Sequence, residues 1–244
     1  MPAHPHIPDG AAAPILSLSQ VSKSYVRGRE HIQVLDGLDM EVFPGEMVSV
    51  MGPSGAGKST LLDVLSGIAR ADQGRVRIAG HAFEQLPESQ RTRLRGRHLG
   101  FVFQFYCLIP VLSAAQNVAL PLDLWRLPRA ERAERVHAAL ALVGMSHRHA
   151  HLPSELSGGE QQRVAIARAV AGNPEILLCD EPTGDLNREM GDAIMDLLET
   201  LCASHGKTIV IVTHDPAVAA RAHRHFRLDH GKLVEYARET AAEA

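Results

Sequence analysis

The stretch Gly52-Pro53-Ser54-Gly55-Ala56-Gly57-Lys58-Ser59-Thr60 decides how this chain is read. Two glycines spaced to end in Gly-Lys-Ser fit the phosphate-cradling P-loop pattern. Met47-Val48-Ser49-Val50-Met51 before it is expected to form a short buried strand, and Leu61-Leu62-Asp63-Val64-Leu65 after it a helix. That strand, loop and helix order is the context the motif requires. Glycine lets the backbone bend until successive N–H groups point at a phosphate, and the helix N-terminus adds its positive dipole end. Lys58 can then reach the β- and γ-phosphates, while the Ser59 hydroxyl can ligate Mg²⁺. A chain of this length would show the bare pattern by chance roughly once in a hundred. Residues further along make chance a weaker account still.

Downstream, Ile176-Leu177-Leu178-Cys179-Asp180-Glu181 reads as a buried strand that ends on two carboxylates. In P-loop proteins the first acid at such a position holds Mg²⁺ through water, and the second can polarise the attacking water. Pro182 follows, which argues against a simple helix cap. Thr208-Ile209-Val210-Ile211-Val212-Thr213 is the next core strand, and it delivers His214 to the carboxyl edge, where parallel sheets bind ligands. Leu99-Gly100-Phe101-Val102-Phe103 is another strand, ending on Gln104. The segment Leu156-Ser157-Gly158-Gly159-Glu160-Gln161 reads as an N-cap and glycine pair opening an amphipathic helix, a weak anion-binding feature when taken alone.

Upstream, Ile15 to Ser19 and Leu38 to Val42 alternate apolar and polar residues, as half-buried antiparallel strands do. Tyr25 lies between them, either as packing or as an exposed ring able to stack on adenine. Gly74 to Gly80 reads as a further strand, and His225 to Glu235 as a hairpin turning at Asp229-His230-Gly231-Lys232. From Ser113 to about Pro153 the pattern is helical, with Val136, Leu140 and Val143 on one face, as in an inserted helical lobe. Phe105-Tyr106-Cys107-Leu108-Ile109-Pro110 is an apolar run outside any periodic element, readable as a buried loop or as a surface that docks a partner. The basic stretch from Arg91 to Arg97 reads as a solvated face. The alternating histidines His147, His149 and His151 lack companions for a metal shell and read as a solvated loop.

The 244 residues are 45% hydrophobic and 22% charged, enough for one large domain with ample core. A net charge of −3 gives no basic bias, so no nucleic-acid partner is expected. Cys107, Cys179 and Cys202 form no close-spaced pair, consistent with a reducing compartment. No apolar run approaches the roughly 20 residues that cross a bilayer. Residues 1–14 lack the basic start and apolar centre of a secretory signal and read as a disordered arm. Residues 239–244 read as a tail. The expected location is the cytosol, with any action on a membrane exerted through a membrane-embedded partner.

Taken together, these residues resemble the ATP-binding subunit of ABC transporters from Ile15 to Tyr236. The segment Leu156 to Gln161, in order with the P-loop, Gln104, Asp180-Glu181 and His214, is the specific element of the resemblance. It implies an α/β P-loop NTPase core with a mostly parallel sheet, an N-terminal antiparallel β subdomain and an inserted α-helical subdomain over about 105–172. The whole cassette would span 15–238. It further implies a head-to-tail homodimer enclosing two ATPs, each held on one chain's P-loop and capped by Ser157, Gly158 and Gly159 of the other. In that scheme Tyr25 stacks on adenine, and Gly52, Pro53, Ser54, Gly55, Ala56, Gly57, Lys58, Ser59 and Thr60 cradle the phosphates. Ser59, Gln104 and Asp180 attend Mg²⁺. Glu181 is the general base, and His214 holds the γ-phosphate and attacking water.

Within the family, Gly100 to Gln104, Asn117 to Leu122 and Asp180 to Asn187 look like the lipoprotein-release, macrolide-efflux and cell-division subgroup. Its members pair with few-span permeases, which implies peripheral attachment at the inner face of the cell membrane. The integral membrane permease would be received near Phe105 to Pro110. The resemblance also admits a periplasmic adaptor on that permease. One departure is Asn187, where the loop after the catalytic acid usually ends in Asp. Two functions compete: an energy-coupling ATPase for export or extraction of a lipoprotein, lipid or drug, and a regulatory ATPase that drives a membrane partner without transport. A soluble DNA-repair or translation ATPase would carry long insertions or a second cassette, and neither is present.

Overall fold

The computed structural model describes residues 13–28 and 30–237. The arm expected over 1–14 lies outside them apart from residues 13 and 14, and the tail expected over 239–244 lies wholly outside. The chain opens with the long strands β1 (Leu16–Arg27) and β2 (Glu30–Val42), then β3 (Met47–Met51), helix α1 (Lys58–Leu65), β4 (Gln73–Ile78) and β5 (His81–Ala82). Helix α2 (Glu88–His98) leads into β6 (Leu99–Val102). Three helices follow in succession, α3 (Ala114–Ala119), α4 (Arg129–Leu142) and α5 (Gly158–Val170). The chain then alternates β7 (Ile176–Asp180), α6 (Arg188–His205), β8 (Thr208–Thr213) and α7 (Pro216–Ala219), and closes with β9 (Arg224–Asp229) and β10 (Lys232–Tyr236).

These strands build two sheets. One is antiparallel, in the order β2-β1-β4-β5. The other runs β10-β9-β3-β8-β7-β6, parallel throughout except for the β9–β10 hairpin. All six residues of β8 are buried, as expected of a strand covered on both faces, so its sequence is a continuous apolar run rather than an alternation. Successive residues feed opposite faces of the second sheet. Leu177, Cys179, Ile209 and Ile211 pack with helices α3 to α6, whereas Ile176, Leu178, Val210 and Val212 pack with α1 and the antiparallel sheet. The second sheet therefore lies between two cores.

One expectation is corrected. The basic stretch over 91–97 is not a uniform solvated face, because α2 turns part of it inward. Arg91 is only 5% exposed and pairs with Glu88. Arg95, one turn on, donates to Glu88 at 2.7 Å and to the Gly67 carbonyl at 2.9 Å, tying α2 to the end of α1. Arg93 and Arg97 face outward. Among the described residues, no helix is long and apolar enough to cross a membrane.

Candidate nucleotide site

Parallel pairing of β3, β8, β7 and β6 brings their carboxyl ends to one edge, and the candidates that follow these four strands lie there. The P-loop leaves β3, Gln104 follows β6, Asp180 and Glu181 end β7, and Thr213 and His214 end β8.

The P-loop geometry needs its glycines. A Cβ on Gly52 would collide with the Leu228 carbonyl, so the loop can leave β3 only by pressing against β9. Gly57 has φ 101° and supplies the N-cap of α1 with no side chain, and a Cβ there would sit 2.8 Å from Val34 Cγ1. The first-turn N–H groups of α1 are thus uncapped by any side chain, at the positive end of the helix. Lys58 curls over the loop, donating from Nζ to the Gly52 carbonyl at 2.8 Å and the Pro53 carbonyl at 3.2 Å. Its Nζ stands 4.0 Å from Glu181 Oε1.

Glu181 is the most constrained residue of the site. Its φ of 45° is left-handed, a conformation that side-chain-bearing residues rarely adopt. Its N–H donates to the Val212 carbonyl at 2.9 Å, anchoring it to β8. Its carboxylate is 9% exposed as a residue and accepts from Thr213 Oγ1 at 2.9 Å and from the His214 N–H at 3.3 Å. His214 Nδ1 lies 2.8 Å from the other oxygen. Glu181 Oε1 can accept from this nitrogen in the tautomer that carries the imidazole proton on Nδ1. Neighbouring Asp180 is half-buried, and desolvation, then the charge of Glu181, raises its proton affinity; Lys58 opposes this and Asp63 adds to it.

The remaining candidates stand apart from this cluster. Ser157 caps α5 in a capping box with Glu160, and the glycines behind it neighbour Tyr106, Leu186 and Met190 rather than the P-loop. Tyr25 is exposed on β1, opposite Ile32 of β2, with Lys23 Nζ 5.2 Å from its ring centre. On one chain the P-loop, Gln104, Asp180, Glu181 and His214 thus form one group, while Ser157 to Gly159 and Tyr25 each lie outside it.

Sequence reading assigned no role to Thr213 or Gln162. Thr213 was legible as the last residue of a strand but not as a donor to a residue on the neighbouring strand. Gln162 is fully buried in α5 and donates to the Pro182 carbonyl at 2.6 Å, a contact no periodicity reveals.

These residues fit a nucleotide with a hard divalent cation. Glycines leave space where a Cβ would not fit, a lysine and helix N-terminus supply positive charge, and Ser59, Gln104 and Asp180 offer oxygen donors. Among the described residues no group of three or more His, Cys, Asp or Glu could hold a metal alone.

Comparison with known proteins bears on the nucleotide. The family described as ABC transporter matches residues 35–184, a span that includes the P-loop, Gln104, Ser157 to Gly159, Asp180 and Glu181 but neither Tyr25 nor His214. The chain is 46% identical to the lipoprotein-releasing system ATP-binding protein LolD of Pseudomonas syringae pv. tomato, over 91% of this chain and 97% of that one. It is 44% identical to the ABC transporter ATP-binding protein YbbA of Escherichia coli K12, over 91% and 98%. The fold matches the ATP-binding cassette MJ0796, solved as a dimer in a post-hydrolysis state with ADP and Pi. The TM-score is 0.84 at 40% identity, covering 92% of this chain and 99% of that one. The chain belongs to the ABC transporter family and is an ATP-binding domain of that family.

Proposed function

We propose that the protein binds and hydrolyses ATP to energise a membrane permease complex that exports or extracts a lipoprotein, lipid or drug-type substrate. The observation that carries the ATPase reading is Lys58 Nζ 4.0 Å from Glu181 Oε1, at the edge where the P-loop, β7 and β8 converge. Backbone N–H groups from Ser54 to Ser59 and the Lys58 ammonium hold the phosphates. Ser59, Gln104 and Asp180 would hold Mg²⁺, which neutralises phosphate charge when bound. Glu181 takes the proton of the attacking water, with Thr213 and the His214 backbone fixing one oxygen and the His214 ring the other. Catalysis is chiefly positioning and charge stabilisation.

The separation of Ser157 to Gly159 from the P-loop supports a head-to-tail homodimer, in which those residues cap the nucleotide of the partner copy. The dimeric MJ0796 cassette is consistent with this arrangement. For the membrane side, Phe105, Ile109 and Val111 expose 68%, 40% and 80% of their surface in one short segment. An apolar surface of that kind suits a permease at the inner face of the membrane. The LolD resemblance favours lipoprotein or lipid substrates among those proposed.

Glu181→Gln tests both halves. Turnover of the purified protein is expected to fall about a hundred-fold or more, the usual weight of a general base. With ATP and Mg²⁺, the variant is expected to recover a few-span permease with a large extracytoplasmic domain from detergent-solubilised membranes of its own cell. Native turnover in the variant removes Glu181 from the mechanism. Recovery of a division-type membrane protein instead of a permease replaces transport with regulatory coupling.

A further inference from the structure

Three contacts stitch the segment after β6 to the loop that begins at Glu181. A Cβ on Gly184 would lie 3.0 Å from Gln104 Nε2, so the two are in direct register. Gln162 Nε2 bridges the Pro182 carbonyl at 2.6 Å and the Phe103 carbonyl at 3.4 Å. The third is Tyr106, whose hydroxyl donates to Asp185 Oδ2 at 3.0 Å across 79 residues of sequence. The first two lie near the strand ends, while the third joins the outer part of both loops.

Tyr106 is held unusually firmly for a loop residue. It and Cys107 have φ of 57° and 49°, two successive left-handed residues without a glycine between them. Arg168 of α5 donates to both of their carbonyls, to Tyr106 at 2.7 Å. The same hydroxyl sits over the start of α5, where a Cβ on Gly158 would be 2.8 Å away. One oxygen thus touches the Asp185 loop and the first residue of α5 together. Partial burial, then the bond to Asp185 and its charge, push the hydroxyl up to about 12, so it remains a donor.

We propose that Tyr106 is a positioning residue for ATP hydrolysis: its bond to Asp185 fixes the Glu181 loop against the N-terminus of α5 and passes displacement of the exposed 105–111 segment to that loop. This rests on the ATPase function proposed above. Tyr106 touches no reacting atom; it acts through Asp185 and the backbone that leads back to Glu181.

The test removes one oxygen. Tyr106→Phe is expected to lower kcat about 3- to 10-fold, the range of one hydrogen bond, with the KM for ATP unchanged. Asp185→Ala should match it, Asp185→Asn should stay near native because its carbonyl still accepts, and the double change Tyr106→Phe with Asp185→Ala should be no worse than either alone. Amide hydrogen exchange at Gly184 and Leu186, whose N–H groups close turns onto Glu181 and Thr183, should quicken in Tyr106→Phe and not in Asp185→Asn. A merely structural contact would lower stability while leaving kcat alone. Unchanged exchange, unchanged kcat or additive effects of the two changes each overturn the proposal. A native protein without ATPase activity instead overturns the function itself, and the two failures are told apart by the native control.

Discussion

Asp180 stands at the end of β7 with Glu181 beside it and Lys58 nearby, and its folded-state pKa lies above the ordinary 3.8. For an acid, a raised folded pKa means the folded chain holds the proton more tightly than the unfolded one. Its stabilising contribution is then complete below 3.8 and lost as pH rises through the raised value. Once ionised, Asp180 is therefore a burden on the fold, tolerated for the cation it is proposed to serve. Asp180→Asn is expected to melt at a higher temperature than native at pH 7, with the difference closing as pH falls toward 3.8. Adding ATP and Mg²⁺ should reverse the order, because only the native carboxylate gains from the cation. Thermal melts across pH, with and without nucleotide, check both halves. An Asn variant no more stable at neutral pH would mean that Lys58 already compensates the buried charge.

The start of α6 explains how this chain tolerates Asn187. Its side-chain oxygen accepts the Met190 N–H at 2.9 Å, so the residue acts as the N-cap, a role Asn and Asp fill equally well. Asn187→Asp is expected to keep ATP turnover within a few-fold of native and to melt no lower, since a carboxylate suits the helix N-terminus. Asn187→Ala should lose about 1 kcal/mol, or roughly 2–4 °C in a chain of this size. Circular-dichroism melts with parallel ATPase assays decide the matter, and lost activity in the Asp variant would show that the amide is specifically required. The same element scale shows what sequence could convey. Strands β3, β7 and β8 and helix α1 were legible because their apolar runs abut glycines, acids or histidine at defined ends. The full length of β1 was not, because Gln20 has φ 51° and register shifts at Leu18/Val21, Val21/Lys23 and Lys23/Ser24 break the alternation. Arg91 was read as solvated because a charged run hides which arginine the helix turns inward. The bonds of Thr213, Gln162 and Tyr106 escaped for another reason: each is a tertiary contact between segments far apart in the chain, and local pattern carries no trace of it.

On the whole molecule, large exposed apolar side chains are mostly scattered, as Val26, Ile68, Leu124 and Val234 are, and single ones need no explanation. Phe105, Ile109 and Val111 differ by being close together in one segment, at 68%, 40% and 80% exposed, and by being tied through Tyr106 to the Glu181 loop. If that segment receives the membrane partner, its apolar surface and the catalytic edge serve separate purposes and can be separated by mutation. Phe105→Ser with Val111→Ser is expected to leave ATP hydrolysis by the purified chain within about two-fold of native, as surface changes do. Placed in the Glu181→Gln background, the pair should abolish recovery of the membrane partner. Val234→Ser removes a comparable exposed side chain from the far edge strand β10, and recovery should persist. Recovery undiminished by the double change would move the docking surface elsewhere on the cassette. Loss of hydrolysis in the purified double variant would mean that the segment shapes the site directly, and that docking and catalysis share one surface.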